Sequence, residues 1–315
     1  MKKYKLYMFT LVCALLFLCG CSDHGLKPTG EYAHIIDLQL INNTVYWLER
    51  TDGTFELFCR DTSEKTVVTS FPDVTGITFC KELGCYLYIA NGVLSAYYPS
   101  SDVTTKVCDL QANAVLCATE DYVLVSTESG DLRVEIENGG KQAVDNMPSI
   151  DAKILDVYGN VIVFWDEKQD SVFQYDCDSD SISVIYSRER NPAVVMVAGM
   201  FHNDSFYYAE SRGGLRKIFI EDGNITDTLV STKSVIALAR AGSEIVVATK
   251  ENSDIVFYSC SNNDELTRLA EWNEADYIVN GSCLLSASTN KIACTVTSEQ
   301  EIFEFSSVIF NAAKD

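Results

Sequence analysis

Histidine is almost missing from this sequence: three stand among 315 residues, His24, His34 and His202. That leaves little room for a histidine metal site or a histidine base. No Cys-x-x-Cys pair and no cysteine–histidine cluster has zinc spacing. No Gly-x-Ser-x-Gly elbow, phosphate loop or dinucleotide fingerprint occurs either, and the sequence asks for no cofactor. Positive charge is scarce: 24 Lys and Arg stand against 45 Asp and Glu, a net charge of −21. Such a chain repels nucleic acid and anionic lipid, which bind through basic surfaces. The same acid keeps an exposed protein soluble, or attracts a basic partner. Apolar runs of membrane length are missing beyond the N-terminus, yet 47% of residues are hydrophobic, enough for a substantial core.

What is present begins with a basic Met1-Lys-Lys-Tyr-Lys5, an apolar run from Leu6 to Leu18, and Leu18-Cys19-Gly20-Cys21. The run is short for a membrane span and suits a secretion leader. With Leu, Gly and Cys in this order, the segment resembles the lipobox of bacterial lipoproteins. The resemblance implies that residues 1–20 are a cleaved signal peptide and that Cys21 receives a diacylglycerol thioether and an acyl chain such as palmitate. Residues 21–30 then form a lipidated tether. The protein is expected to be extracytoplasmic and anchored to the bacterial cell membrane, the outer one if the cell has two. Several acyl chains together anchor stably where one is marginal.

Past residue 31 short β-rich runs alternate with turn residues, so an internal repeat is the first thing to seek. One five-residue column recurs: Thr44–Leu48, Cys85–Ile89, Tyr122–Ser126, Val161–Trp165, Ser205–Ala209, Glu244–Ala248 and Cys283–Ala287. Its starts are 41, 37, 39, 44, 39 and 39 residues apart. Each run is apolar on both faces, as a strand buried between layers must be. Each follows a turn signal such as Asn42-Asn43, Gly159-Asn160 or Asn203-Asp204, and a second turn such as Asp52-Gly53 or Asn91-Gly92 comes about eight residues later. Proline, which cannot donate to a ladder, falls between units at Pro72, Pro148 and Pro192. The period predicts an all-β fold: one domain over residues 31–315, a seven-bladed β-propeller of four-stranded antiparallel blades, about 40 residues each. The ring closes either with Glu301–Phe310 completing the last blade or with residues around Gly30 to Ala33 pairing to it.

Three aspartates alternate in Asp176-Cys-Asp178-Ser-Asp180, a pattern that presents oxygens to calcium in other proteins. Aligned by the repeat, Asp178 falls with Asp61, Ser101, Asp222 and Ser261, and Asp180 with Ser63, Asn224 and Asn263. Asp, Asn and Ser recur there because their side chains bond to the turn backbone. The expected reading is a turn, with a weak calcium site at Asp176, Asp178 and Asp180 as the alternative. Nine cysteines follow Cys21, an odd number, so at least one is unpaired. Cys80 and Cys85 flank a hairpin turn and are the candidate disulfide; the rest read as small buried hydrophobes.

In a propeller the connections between blades and the turns after each second strand share one face. Arg188, Arg190, Arg212 and Trp272 fall there, residue types favoured as interface anchors, although Trp272 also suits packing between blades. Inner strands offer Asp37, Asp156 and Asp276 as channel carboxylates. Strand pattern and period resemble bacterial extracytoplasmic β-propeller lipoproteins, a class that includes BamB-like, TolB-like and quinoprotein-like repeats. The expected function is a non-catalytic surface platform for an envelope protein or a glycan, more in keeping with a binding protein than with an enzyme. The alternatives are a glycan-active hydrolase or lyase using channel carboxylates and a scaffold subunit of an envelope assembly. Acids clustered at a channel mouth favour the enzyme, and an apolar patch on a blade edge favours the scaffold.

Overall fold

The structure is a computed structural model that describes residues 34–60, 65–149, 152–188, 194–221, 224–272, 283–296 and 301–306. Every element in it is a strand. Blade 1 comprises β1 (His34–Ile41), β2 (Thr44–Thr51), β3 (Thr54–Arg60) and β4 (Lys65–Phe71), and blade 2 comprises β5 (Val74–Cys80), β6 (Cys85–Ala90), β7 (Val93–Tyr98) and β8 (Val103–Asp109). Blade 3 is β9 (Ala114–Ala118), β10 (Tyr122–Thr127), β11 (Gly130–Glu135) and β12 (Lys141–Ala143), and blade 4 is β13 (Lys153–Tyr158), β14 (Val161–Asp166), β15 (Ser171–Asp176) and β16 (Ser181–Ser187). Blade 5 is β17 (Met196–His202), β18 (Ser205–Glu210), β19 (Gly214–Glu221) and β20 (Asn224–Ser231), and blade 6 is β21 (Ser234–Ala241), β22 (Glu244–Glu251), β23 (Asp254–Cys260) and β24 (Leu266–Trp272). A last sheet holds β25 (Leu285–Ala287), β26 (Lys291–Val296) and β27 (Glu301–Ser306).

The blades form because turn chemistry and strand composition agree. Asn42-Asn43, Asp52-Gly53, Asn91-Gly92 and Asn203-Asp204 all have positive φ at both residues. Two such residues make the turn whose twist matches the right-handed twist of the strands it joins. The second strand of each blade is apolar on both sides because blades pack face to face. Val45, Trp47, Leu87, Val123, Val163, Tyr208 and Val247 are all buried. Inner strands of blades 2 and 3, 4 and 5, 5 and 6, and 6 and the last sheet touch in turn, and β1 touches β25 and β26. Leu40 N donates to Ser286 Oγ at 3.0 Å across that last junction.

The structure corrects the blade count: among the described residues it has six four-stranded blades, not seven. The last sheet has three strands, β25-β26-β27. The seventh member of the repeated column, Cys283–Ala287, is not a second strand. Its residues Leu285–Ala287 are the inner strand, paired as Leu285↔Cys294 and Ala287↔Ile292 and packed beside inner strand β21. An apolar run after a Gly-Ser turn suits either position, and only contact with the neighbouring blade tells them apart. β27 pairs with β26, which fits the first of the two closures; Gly30 to Ala33, on which the second rests, lie outside the described residues.

Candidate functional site

Within an antiparallel four-stranded blade, the turns between second and third strands and the connections to the next blade lie at one end. The anchors expected there fare differently. Arg188 is enclosed rather than displayed: its guanidinium pairs with Asp170 Oδ1 at 2.7 Å, with the Glu210 carboxylate, and with the Val194 carbonyl at 2.7 Å. Asp170 sits on the β14–β15 turn and Glu210 ends β18, so Arg188 clamps blade 4 to blade 5. Arg212 lies exposed on the β18–β19 turn beside that clamp. Trp272 ends β24 and packs against the apolar cluster of Ile236, Ile255, Phe257 and Ile292. The structure thus brings Arg188 and Arg212 to one corner and leaves Trp272 in a blade seam. Arg190, Asp276 and Cys21 lie outside the described residues.

The same end of the ring holds a pocket of about 600 Å³ between blades 2 and 3. Its floor is Ile89, Leu110 and Leu132, and Gln111, Asn113 and Glu128 stand at its rim. Nothing in the sequence pattern marked it, because its walls come from three separate connections.

The acidic loop is a turn whose three carboxylates face different ways. Asp176 Oδ1 accepts from Asp178 N at 2.9 Å and its Oδ2 from Ser179 Oγ at 2.8 Å. These bonds, that from Ser179 first, hold its carboxyl below the usual aspartate range. Asp178 accepts from the Tyr122 hydroxyl of blade 3 at 3.0 Å. Asp180, in the left-handed region at φ 49°, accepts from the Tyr175 hydroxyl at 3.0 Å and from Asp145 N at 3.2 Å. Among the described residues no three acidic, cysteine or histidine side chains converge as a metal site. The same cap recurs as Tyr97 on Asp102 at 2.9 Å, and Tyr207 of blade 5 reaches Asp264 of blade 6 at 2.7 Å as Tyr122 reaches Asp178.

Asp37 and Asp156 do stand on inner strands. Burial pushes the Asp37 carboxyl up, against hydrogen bonds from Gln39 at 2.9 Å and from the Tyr86 hydroxyl at 2.9 Å. Burial also raises Asp156, which accepts from Arg240 at 3.0 Å and from Phe201 N at 2.9 Å. Each is engaged with its own neighbours, and no hydrogen bond joins one to the other. Cys80 and Cys85 are opposite one another in the β5–β6 ladder and the structure holds both as free thiols.

The rim of the ring shows what sequence reasoning missed. Of ten exposed large hydrophobic side chains among the described residues, six lie on outermost strands: Val67, Val103, Ile182, Val184, Ile225 and Leu229. Four of these belong to β16 and β20, the outermost strands of two consecutive blades, with Val184 57% and Ile225 56% exposed. β16 and β20 each end their sheets, so among the described residues one backbone edge of each has no strand beside it.

No protein-family model matches the chain, and no characterised protein sequence does. Solved structures resemble it in shape. A chain of a mitotic checkpoint complex superposes with a TM-score of 0.56 at 12% identity, covering 90% of this chain and 95% of its own. The Cps50 (Swd1) β-propeller domain from Myceliophteria thermophila gives 0.52 at 10% identity, covering 89% and 99%. BamB from Moraxella catarrhalis gives 0.43 at 12% identity, covering 90% and 91%, a likeness too low to argue from. At these identities the likeness shows the fold, a β-propeller.

Proposed function

We propose that this protein is a non-catalytic binding platform for a protein partner, held outside the cytoplasm by lipid on Cys21, with the outer strands of blades 4 and 5 as its docking edge. One observation carries the reading: Ile182, Val184, Ile225 and Leu229 stand exposed on strands whose outer backbone edges are open among the described residues. Proteins ordinarily blunt such edges with charge or proline. An open edge with apolar side chains accepts a partner strand, the backbone giving affinity and the side chains specificity. The mitotic checkpoint complex, where a similar propeller sits within an assembly, is consistent with this use of the fold. The strong negative charge favours a partner that is basic around an apolar contact. A glycan would be expected to stack on exposed aromatic rings, and the four side chains that define this edge are aliphatic.

The test is photo-crosslinking in the cells that make the protein, with a crosslinking residue at position 184, at position 229, and at Ser101 as a control on a distant turn. Discrete protein adducts from 184 and 229 but not from 101 support the platform. Equal labelling from all three, no adduct, or an adduct removed by glycosidases contradicts it. Separately, palmitate incorporation that vanishes in Cys21→Ala supports the anchor, and incorporation that persists sinks it.

A further inference from the structure

We propose that Cys80 and Cys85 are an oxidation site, forming a cross-strand disulfide that locks the β5–β6 hairpin and alters the seam joining blades 2, 3 and 4. This goes beyond the platform reading and does not depend on it. The two residues are direct partners in an antiparallel ladder, closing the turn Lys81-Glu82-Leu83-Gly84. Direct partners hold their Cβ atoms about 4.5–5.5 Å apart, and the near end of that range meets the about 3.5–4.5 Å a disulfide uses. Both thiols are buried and share a hydrogen bond. Other cysteine pairs are less well placed. Cys283 and Cys294 also share a hydrogen bond, but Cys294 pairs in the ladder with Leu285, so they are diagonal neighbours. Diagonal neighbours stand about 7–8 Å apart and need backbone movement to bridge. Cys117 and Cys177 meet across the seam of blades 3 and 4, on different sheets.

The chemistry is thiol–disulfide exchange with a low-molecular-weight disulfide as oxidant. Cys80 loses its proton, and its thiolate attacks the oxidant, releasing one thiolate. Cys85 then loses its proton and attacks Cys80 Sγ, releasing the second. The pair gives up two electrons, and the two protons go to the two released thiolates. Buried thiols react slowly, so exchange occurs as the hairpin forms or when its exposed turn opens.

The consequence reaches further than one hairpin. Cys80 Sγ donates to the Thr119 carbonyl of blade 3 at 3.2 Å, a bond the disulfide cannot make. The Thr119 hydroxyl donates to Asn160 Oδ1 of blade 4 at 3.2 Å, and Asn160 Nδ2 donates to Asp121 at 2.8 Å and Asp178 at 3.3 Å. One proton on Cys80 is therefore coupled to the tie between blade 3 and the acidic turn of blade 4.

The full chain in detergent micelles is refolded and equilibrated in ratios of reduced to oxidised glutathione, alkylated under denaturing conditions, and cut with trypsin. Cleavage at Lys65, Lys81 and Lys106 places Cys80 and Cys85 on separate peptides, residues 66–81 and 82–106. Those two peptides linked, at more reducing ratios than any other cysteine pair and not in Cys85→Ser, is the expected result. Full alkylation of both at every ratio, or an earlier Cys283–Cys294 link, overturns it. Hydrogen exchange of the oxidised protein is expected to quicken around Thr119 to Tyr122 and at Asn160 while blade 6 stays unchanged. An unchanged seam refutes the coupling.

Discussion

Blades 4 and 5 meet along a seam and end on a rim, and the two places treat residues in opposite ways. At the seam a full charge is mostly enclosed, held by Asp170, Glu210 and the Val194 carbonyl around Arg188. At the rim apolar side chains are left in water, at Ile182, Val184, Ile225 and Leu229. Each arrangement would be costly in the other's place. A buried ion needs its partners because its desolvation is large, whereas a few exposed aliphatic side chains cost a folded monomer little. The seam is therefore where stability is concentrated, and the rim is where residues are free to serve something other than folding.

The widest separation of the two should come from Arg188→Met. It removes the cation from two carboxylates in a mostly enclosed corner, and stability should fall toward the about 3–5 kcal/mol lost when a buried pair is broken from one side. Urea unfolding reads this directly, and adding Asp170→Asn and Glu210→Gln should return much of it. A smaller effect is expected at Asp180→Ala, which removes the cap on Tyr175 and the bond from Asp145 N. About 1 kcal/mol per lost hydrogen bond is typical, and the midpoint should not respond to calcium in either protein.

Asp37 sharpens the comparison through pH. Its folded carboxyl is raised above the ordinary 3.8 by burial, so the fold favours its protonated form. That contribution is fully present below the ordinary value and is lost as pH rises through the raised one. Asp37→Asn should therefore gain on the parent protein as pH rises above the ordinary aspartate value of 3.8, each tenfold change in the stability ratio being about 1.4 kcal/mol. Thermal melts across that range would show it, and a constant gap between the two proteins would refute the assignment. Smallest of all is the rim: Val184→Lys with Leu229→Lys should shift stability by no more than about 0.5 kcal/mol.

Much of the fold was legible because its local signals repeat. Turn residues with positive φ, such as Asn42-Asn43 and Asn91-Gly92, fall where the sequence placed hairpins. The count failed at Cys283–Ala287, since inner and second strands are both apolar and differ in which neighbour they touch. The candidate site was less legible. Arg188 reads as a surface cation because its partners lie 18 and 22 residues away, on a turn of its own blade and on the next blade. Ile182 and Val184 alternate with serines, a pattern that predicts a half-buried strand, yet β16 ends its sheet and leaves them exposed. Sequence periodicity reports which residues share a face, and the sheet's place in the ring decides what covers it.

The account's central claim is that the rim of blades 4 and 5 serves a partner and not the fold. The most direct measurement compares partner recovery and melting temperature for the parent chain and for Val184→Lys with Leu229→Lys, side by side from the same cells. The prediction is an unchanged melt with the crosslinked partner lost. A variant that melts earlier, or one that keeps its partner in full, would contradict the claim.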